Sequence, residues 1–89
     1  MMTEVDKLEL YVRDYCGYCR RVLKAIDRLG LEVEVKNIWQ SGEAERELLQ
    51  ATGRHTVPVL RITDRSGDTR WMPESGDIIR YLESRVEAA

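Results

Sequence analysis

Leu8-Glu9-Leu10-Tyr11-Val12, closely followed by Cys16-Gly17-Tyr18-Cys19, carries an alternating apolar run into a pair of thiols. The alternation predicts a strand over Lys7–Val12, with Leu8, Leu10 and Val12 on one face. A helix-compatible stretch follows from about Tyr15 to Leu29, with Val22, Leu23, Ile26 and Leu29 along one side. Gly30 suits the left-handed position just past a helix end. A strand that feeds a helix through Cys-x-x-Cys puts the first sulfur at the helix N-terminus. Unsatisfied N–H groups and the positive end of the dipole favour a thiolate there. Residues three apart on a first turn share a side, close enough for a disulfide. This is the layout of a reversible dithiol switch.

Other uses of the two thiols fit less well. A structural zinc site normally takes four Cys or His ligands, and the chain has two cysteines and one histidine, His55. An intermolecular zinc or iron–sulfur site would require a second chain or an outside ligand. A purely structural disulfide closing so short a loop constrains the unfolded chain little. The 89 residues predict a single domain over 1–89, and the net charge of −2, with both signs interspersed, argues against a nucleic-acid surface. No apolar stretch approaches membrane-spanning length. Met1 to Lys7 has neither a basic nor an apolar leader region, so a cytoplasmic, catalytic pair of cysteines is expected.

The remaining punctuation continues the pattern. Leu31–Ile38 alternates and predicts a half-buried strand, with Leu31, Val33 and Val35 as its apolar members. Ser41-Gly42-Glu43 opens a second helix to about Thr52, with Ala44, Leu48 and Leu49 inward, and Gly53 ends it. Val57–Thr63 reads as a third strand, 64–68 as a turn and Thr69–Met72 as its hairpin partner. A last helix starts near Ser75 and carries Ile78, Ile79, Leu82 and Val86 at helical spacing. The order βαβαββα predicts an α/β (α+β) domain with a mixed four-stranded sheet flanked by three helices. Ligands of such sheets tend to bind at the carboxyl ends of strands, where Cys16 falls.

Together with Cys16-Gly17-Tyr18-Cys19, the later Thr56-Val57-Pro58 and the order of elements, the chain resembles a dithiol glutaredoxin of the thioredoxin fold. Trp71-Met72-Pro73-Glu74-Ser75-Gly76-Asp77-Ile78 narrows the resemblance. Glutaredoxins mostly carry Gly-Gly before the last helix, where Pro73-Glu74 stands here. Glu74-Ser75 looks instead like the glutathione site of glutathione transferases and of the glutaredoxin branch related to them. That branch usually carries a further helical domain, which this chain, ending at Ala89, does not include.

The resemblance implies a glutathione-dependent thiol–disulfide oxidoreductase. It makes Cys16 the nucleophile and Cys19 the resolving thiol. Arg13 is placed near the thiolate or near a carboxylate of glutathione, and Thr56, Val57 and a cis-Pro58 against the cysteinyl unit. From base rates alone Pro58 would be trans. Ser75 is a good N-cap and Asp77 suits a first turn; the same helix end would bind the γ-glutamyl carboxylate, with Asp77 or Glu74 meeting the ammonium. Tyr18 is expected to cover the disulfide, with Tyr15 and Trp71 as neighbours. Trp39 would flank the glycine end or close the core, and Arg46, Arg54 and His55 would add positive charge or simply lie solvated. Glutathione and disulfide or glutathionylated proteins are the expected partners of a monomer, with neither nucleic acid nor membrane. Two alternatives stay open: a [2Fe–2S] carrier with Cys16 of two chains and two glutathiones as ligands, and a transferase-like glutathione-binding module. A related redox alternative takes its electrons from a thioredoxin-type reductase.

Overall fold

The computed structural model describes residues 6–88. It runs β1 (Lys7–Val12), α1 (Gly17–Leu29), β2 (Glu34–Asn37), α2 (Gly42–Thr52), β3 (Val59–Thr63), β4 (Thr69–Met72) and α3 (Ser75–Ala88). The strands form one sheet in the order β2-β1-β3-β4. β1 pairs in parallel with β2, Leu10 opposite Val35, and antiparallel with β3, Leu10 opposite Leu60. β4 closes the hairpin with β3. This is the mixed-sheet thioredoxin-like architecture that the order of elements predicts.

Successive strand residues point to opposite faces, so β1 supplies two separate cores. Leu8, Leu10 and Val12 join Cys16, Cys19, Val22 and Ile26 of the α1 side and Ile78 and Leu82 of α3. Tyr11 joins Ile38, Val59, Ala44 and Leu48 under α2. Gly30 and Gly53 take left-handed φ values of 67° and 73° and cap α1 and α2. That conformation costs an L-residue with a Cβ but not glycine. Ser41 caps the start of α2 by accepting from the Ala44 N–H at 3.2 Å.

Three expectations are corrected. β2 begins at Glu34 rather than Leu31, and Val35 is 47% exposed. β2 is the outer strand, so α1 does not reach across it. Leu49 is 40% exposed and faces away from the sheet, leaving Ala44 and Leu48 as the inward residues of α2. α1 starts at Gly17 because Tyr15 is not helical, its φ being 56°.

The α2 face of the sheet also buries charge. Glu9, only 2% exposed, lies 2.9 Å from Lys36 Nζ on β2, with Arg61 Nε at 3.6 Å and Lys7 Nζ at 3.8 Å. Lys36 also reaches Glu47 of α2 at 3.2 Å, and the Tyr11 hydroxyl donates to the same carboxylate at 2.8 Å. Bonding to Glu9 holds the Lys36 ammonium above the usual lysine range. The Tyr11 hydroxyl, followed by Lys36, outweighs partial burial and holds the Glu47 carboxyl below the usual glutamate range.

Removing one partner of a buried pair leaves the other without compensation, which costs more than replacing both. Lys36→Met is therefore expected to lose about 2 kcal/mol in urea unfolding, with Arg61 and Lys7 limiting the damage. Glu9→Leu combined with Lys36→Met should recover at least half of that loss. The lowered Glu47 value adds stability that is fully present above the ordinary glutamate range and lost as pH falls through the folded value. Stability measured against pH should therefore fall less steeply across the acid range in Glu47→Gln than in the wild type.

Candidate active site

The C-terminal ends of β1, β2 and β4 and the N-terminal end of β3 share one edge of the sheet, because β3 alone runs antiparallel to its neighbours. Along that edge the chain places Trp39 after β2, Cys16 after β1, Val57-Pro58 ahead of β3 and Glu74-Ser75 after β4. The topology thus brings together side chains that lie up to 59 positions apart (16 to 75).

Cys16 is the N-cap of α1. Its backbone is extended, at φ −116° and ψ 109°, and its Sγ accepts from the Cys19 N–H at 3.1 Å. A sulfur held by an amide at the positive end of a 13-residue helix is well placed to carry negative charge. Cys16 and Cys19 form a disulfide with their Cα atoms 5.2 Å apart. Cys19 is 2% exposed, while Cys16 is 7% exposed. Both are buried, Cys16 the less deeply.

The loop before Cys16 is held from the β2 side. Arg13 Nη1 donates to the Asp14 and Tyr15 carbonyls at 2.9 and 3.3 Å, and its guanidinium lies 5.3 Å from the Trp39 ring centre. Arg13 is thus committed to the loop backbone and an aromatic face, where the resemblance placed it near the thiolate or a ligand carboxylate. Tyr15 meets Trp39 edge-on at 6.3 Å and stands 88% exposed, with Tyr18 exposed as well. The sequence reading did not single out Asp14, Asn37 or Gln40. Asp14 Oδ1 accepts from Asn37 Nδ2 at 3.1 Å, with Gln40 Nε2 3.5 Å away, tying this loop to the one after β2. An Asn at the end of an alternating strand was the only available signal.

The β3 side is more open. The Val57–Pro58 peptide bond is cis, as the resemblance implies and base rates do not. Pro58 is buried, Val57 half-buried and Thr56 exposed. Val57 packs against both cores. Among the described residues, no group pairs with the Val57 N–H or C=O. At α3 the Glu74 carbonyl accepts the first helical bond, from Ile78 N–H at 2.8 Å. Glu74 is therefore the capping position, one place earlier than the expected Ser75, and Ser75 is the first helical residue. Among the described residues no side chain accepts from the first N–H groups of α3. Asp77 is paired with Arg80 one turn on, which leaves the Glu74 carboxylate as the acid without an ion pair at this helix end.

Other expected members fall elsewhere. Trp71 packs on Tyr11 at 5.4 Å under Arg61 at 5.2 Å, so it belongs to the α2 core rather than to the surroundings of the disulfide. His55 pairs with Glu45 at 3.5 Å, and Arg46 and Arg54 are exposed. Among the described residues, no His, Cys, Asp and Glu side chains cluster to hold a metal, and no helix is long and apolar enough to cross a membrane.

Comparison with known proteins agrees with this geometry. Residues 10–89 match the family of the glutathione S-transferase N-terminal domain. Glutaredoxin 2 of Escherichia coli is 30% identical over 76 residues, covering 85% of this chain and 33% of that protein. The chain thus spans about a third of that relative's length. Mycoredoxin 1 of Corynebacterium glutamicum is 28% identical over 81 residues, covering 90% of this chain and 98% of its own. A glutathione transferase homologue from Drosophila mojavensis, solved with bound glutathione, superposes with a TM-score of 0.73 at 26% identity over 92% of this chain and 36% of that one. With a disulfide-forming pair at the α1 N-terminus and a likeness to glutaredoxin 2 and mycoredoxin 1, the chain belongs to the glutathione S-transferase N-terminal domain family.

Proposed function

We propose that this protein is a glutathione-dependent thiol–disulfide oxidoreductase. The observation that carries the reading is Cys16 at the α1 N-terminus, already paired with Cys19, on the same edge as an unpaired Val57 backbone and an open α3 N-terminus. A γ-glutamyl-cysteinyl-glycine molecule has groups for all three positions. Its cysteinyl N–H and C=O pair strand-like with Val57. Its γ-glutamyl carboxylate takes the N–H groups at the start of α3, and its ammonium meets Glu74.

The reduced protein attacks through Cys16. With a glutathionylated protein, the Cys16 thiolate bonds to the glutathione sulfur, and the protein sulfur leaves and takes a proton. The thiolate of a second glutathione then breaks the Cys16–glutathione bond, giving glutathione disulfide and the Cys16 thiolate. With a protein disulfide, Cys16 forms the mixed disulfide and Cys19 loses its proton. Cys19 then attacks Cys16 Sγ, releasing the protein dithiol and leaving Cys16–Cys19 oxidised for two glutathiones to reduce. The rate of each exchange rises with the attacking thiolate fraction and with access. The [2Fe–2S] alternative has no supporting observation here.

Turnover of a small glutathione mixed disulfide, coupled to glutathione reductase, is expected in the wild type, absent in Cys16→Ser and largely kept in Cys19→Ser. A wild type that is reduced and folded yet inactive sinks this reading. In the reduced protein, sub-stoichiometric iodoacetamide should label Cys16 ahead of Cys19, as mapped by mass spectrometry. Glu74→Gln should raise KM for glutathione about fivefold with little change in kcat. Asp77→Asn, whose carboxylate already serves Arg80, should change it less.

A further inference from the structure

The glutathione reading uses only the β3 side of Cys16. On the β2 side a groove of about 430 Å³ runs between the first turns of α1 and the end of β2. Cys16, Cys19, Tyr15, Arg20, Leu23 and Val35 line it, whereas Val57, Pro58, Glu74 and Ser75 do not. The groove and the glutathione cradle therefore meet at the nucleophile from opposite flanks.

Its walls mix apolar side chains with Arg13, Asp14, Arg20, Asn37 and Gln40. Val35 shares the face of its partner Leu10, the α1 side of the sheet, yet it is 47% exposed. Half-buried Leu23 stands across from it on α1. At the mouth Tyr15 projects from a left-handed backbone, a costly conformation for a residue with a Cβ. The Arg13 hydrogen bonds and the Trp39 ring hold it there. The acid among the lining residues, Asp14, is taken up by Asn37 and Gln40. Two cations line the groove: Arg13 is turned to the loop carbonyls and the Trp39 ring, and Arg20, exposed on the first turn of α1, has no ion pair among the described residues.

We propose that this groove docks the polypeptide of a disulfide-bonded or glutathionylated substrate protein. The docked segment is extended and carries an apolar side chain for Val35 and Leu23 and an acidic one for Arg20 beside its reacting cysteine. The proposal rests on the oxidoreductase reading above. Glutathione has its own flank, so whatever lies against Val35 and Arg20 arrives attached to the other sulfur of the substrate. Val35 and Leu23 beside the Arg20 guanidinium select such a segment over a basic one, since complementary charge raises the encounter rate and like charge lowers it.

The test is made in the Cys19→Ser background, where exchange stops at the Cys16 mixed disulfide. Cysteine peptides with Leu and either Glu or Lys beside the cysteine are activated as 2-thiopyridyl disulfides. The Cys16 thiolate bonds to the peptide sulfur, and the sulfur–thiopyridine bond breaks to release pyridine-2-thione, whose absorbance gives the rate. Rates are normalised to neutral 2,2′-dithiodipyridine, which removes any change in thiolate reactivity. At low salt the Glu peptide is expected to react about fivefold faster than the Lys peptide. Arg20→Glu should reverse that order, and Val35→Ser should slow both peptides about twofold. Equal rates for the two peptides, or a preference that survives Arg20→Glu, overturn the proposal. The wild-type turnover of a small glutathione mixed disulfide is measured in parallel. Its absence sinks the glutathione reading alone, because the peptide exchange involves no glutathione.

Discussion

The structure depends on β1 lying between two strands of opposite direction. Parallel pairing with β2 and antiparallel pairing with β3 put the end of β1, the end of β2 and the start of β3 at one edge. The α1 N-terminus and the Val57–Pro58 segment follow from that placement, and the β3–β4 hairpin adds the start of α3. The same pairing buries β1 on both faces, so its side chains must satisfy two different environments. Leu8, Leu10 and Val12 meet an apolar layer of α1 and α3. Glu9 and Tyr11 meet α2, which brings Glu47 across a sheet that also presents Lys36 and Arg61.

That second face explains how a sheet with a buried carboxylate holds together. A charge removed from water needs a partner in good geometry. Lys36 supplies it at 2.9 Å and at the same time spans to α2 at 3.2 Å. One ammonium thus joins β1, β2 and α2. Tyr11 adds a neutral donor to Glu47, and burial together with that bond holds its hydroxyl above the usual phenol range. Because α2 leads directly into the segment before Pro58, this network anchors the chain on which the β3 side of the site is built.

Much of this was legible in the sequence, for local reasons. Strict alternation in β1, helical spacing in α1 and glycines at positions 30 and 53 are signals carried by a few neighbouring residues, and the structure follows each. What was not legible depends on the order of strands. The alternation around Val33 and Val35 announces a strand but not that it lies at the edge, so Val35 reads as buried and is not. Glu9 reads as the polar partner of an alternating run, and nothing nearby reveals a helix over that face. Of the site, the two cysteines and Val57-Pro58 were evident from spacing and resemblance. The engagement of Arg13 was not, because its partners are backbone carbonyls and Trp39, 26 positions away (13 to 39). Trp71 was assigned to the wrong face because a lone aromatic at a strand end gives no sign of which side it packs on.

The two flanks of Cys16 differ in the kind of group they offer. On the β3 side the free groups belong to the backbone, at Val57 and the first turn of α3, with a single acid at Glu74. Backbone donors and acceptors recognise another peptide unit whatever its side chains, which suits a small thiol shared by all substrates. On the β2 side the groups offered are side chains, Val35, Leu23 and Arg20, around a groove that reaches the disulfide. Side chains discriminate by shape and charge, which suits the variable half of a mixed disulfide. In the proposed cycle, Cys16 between them would exchange a constant partner for a variable one without either occupying the other's surface.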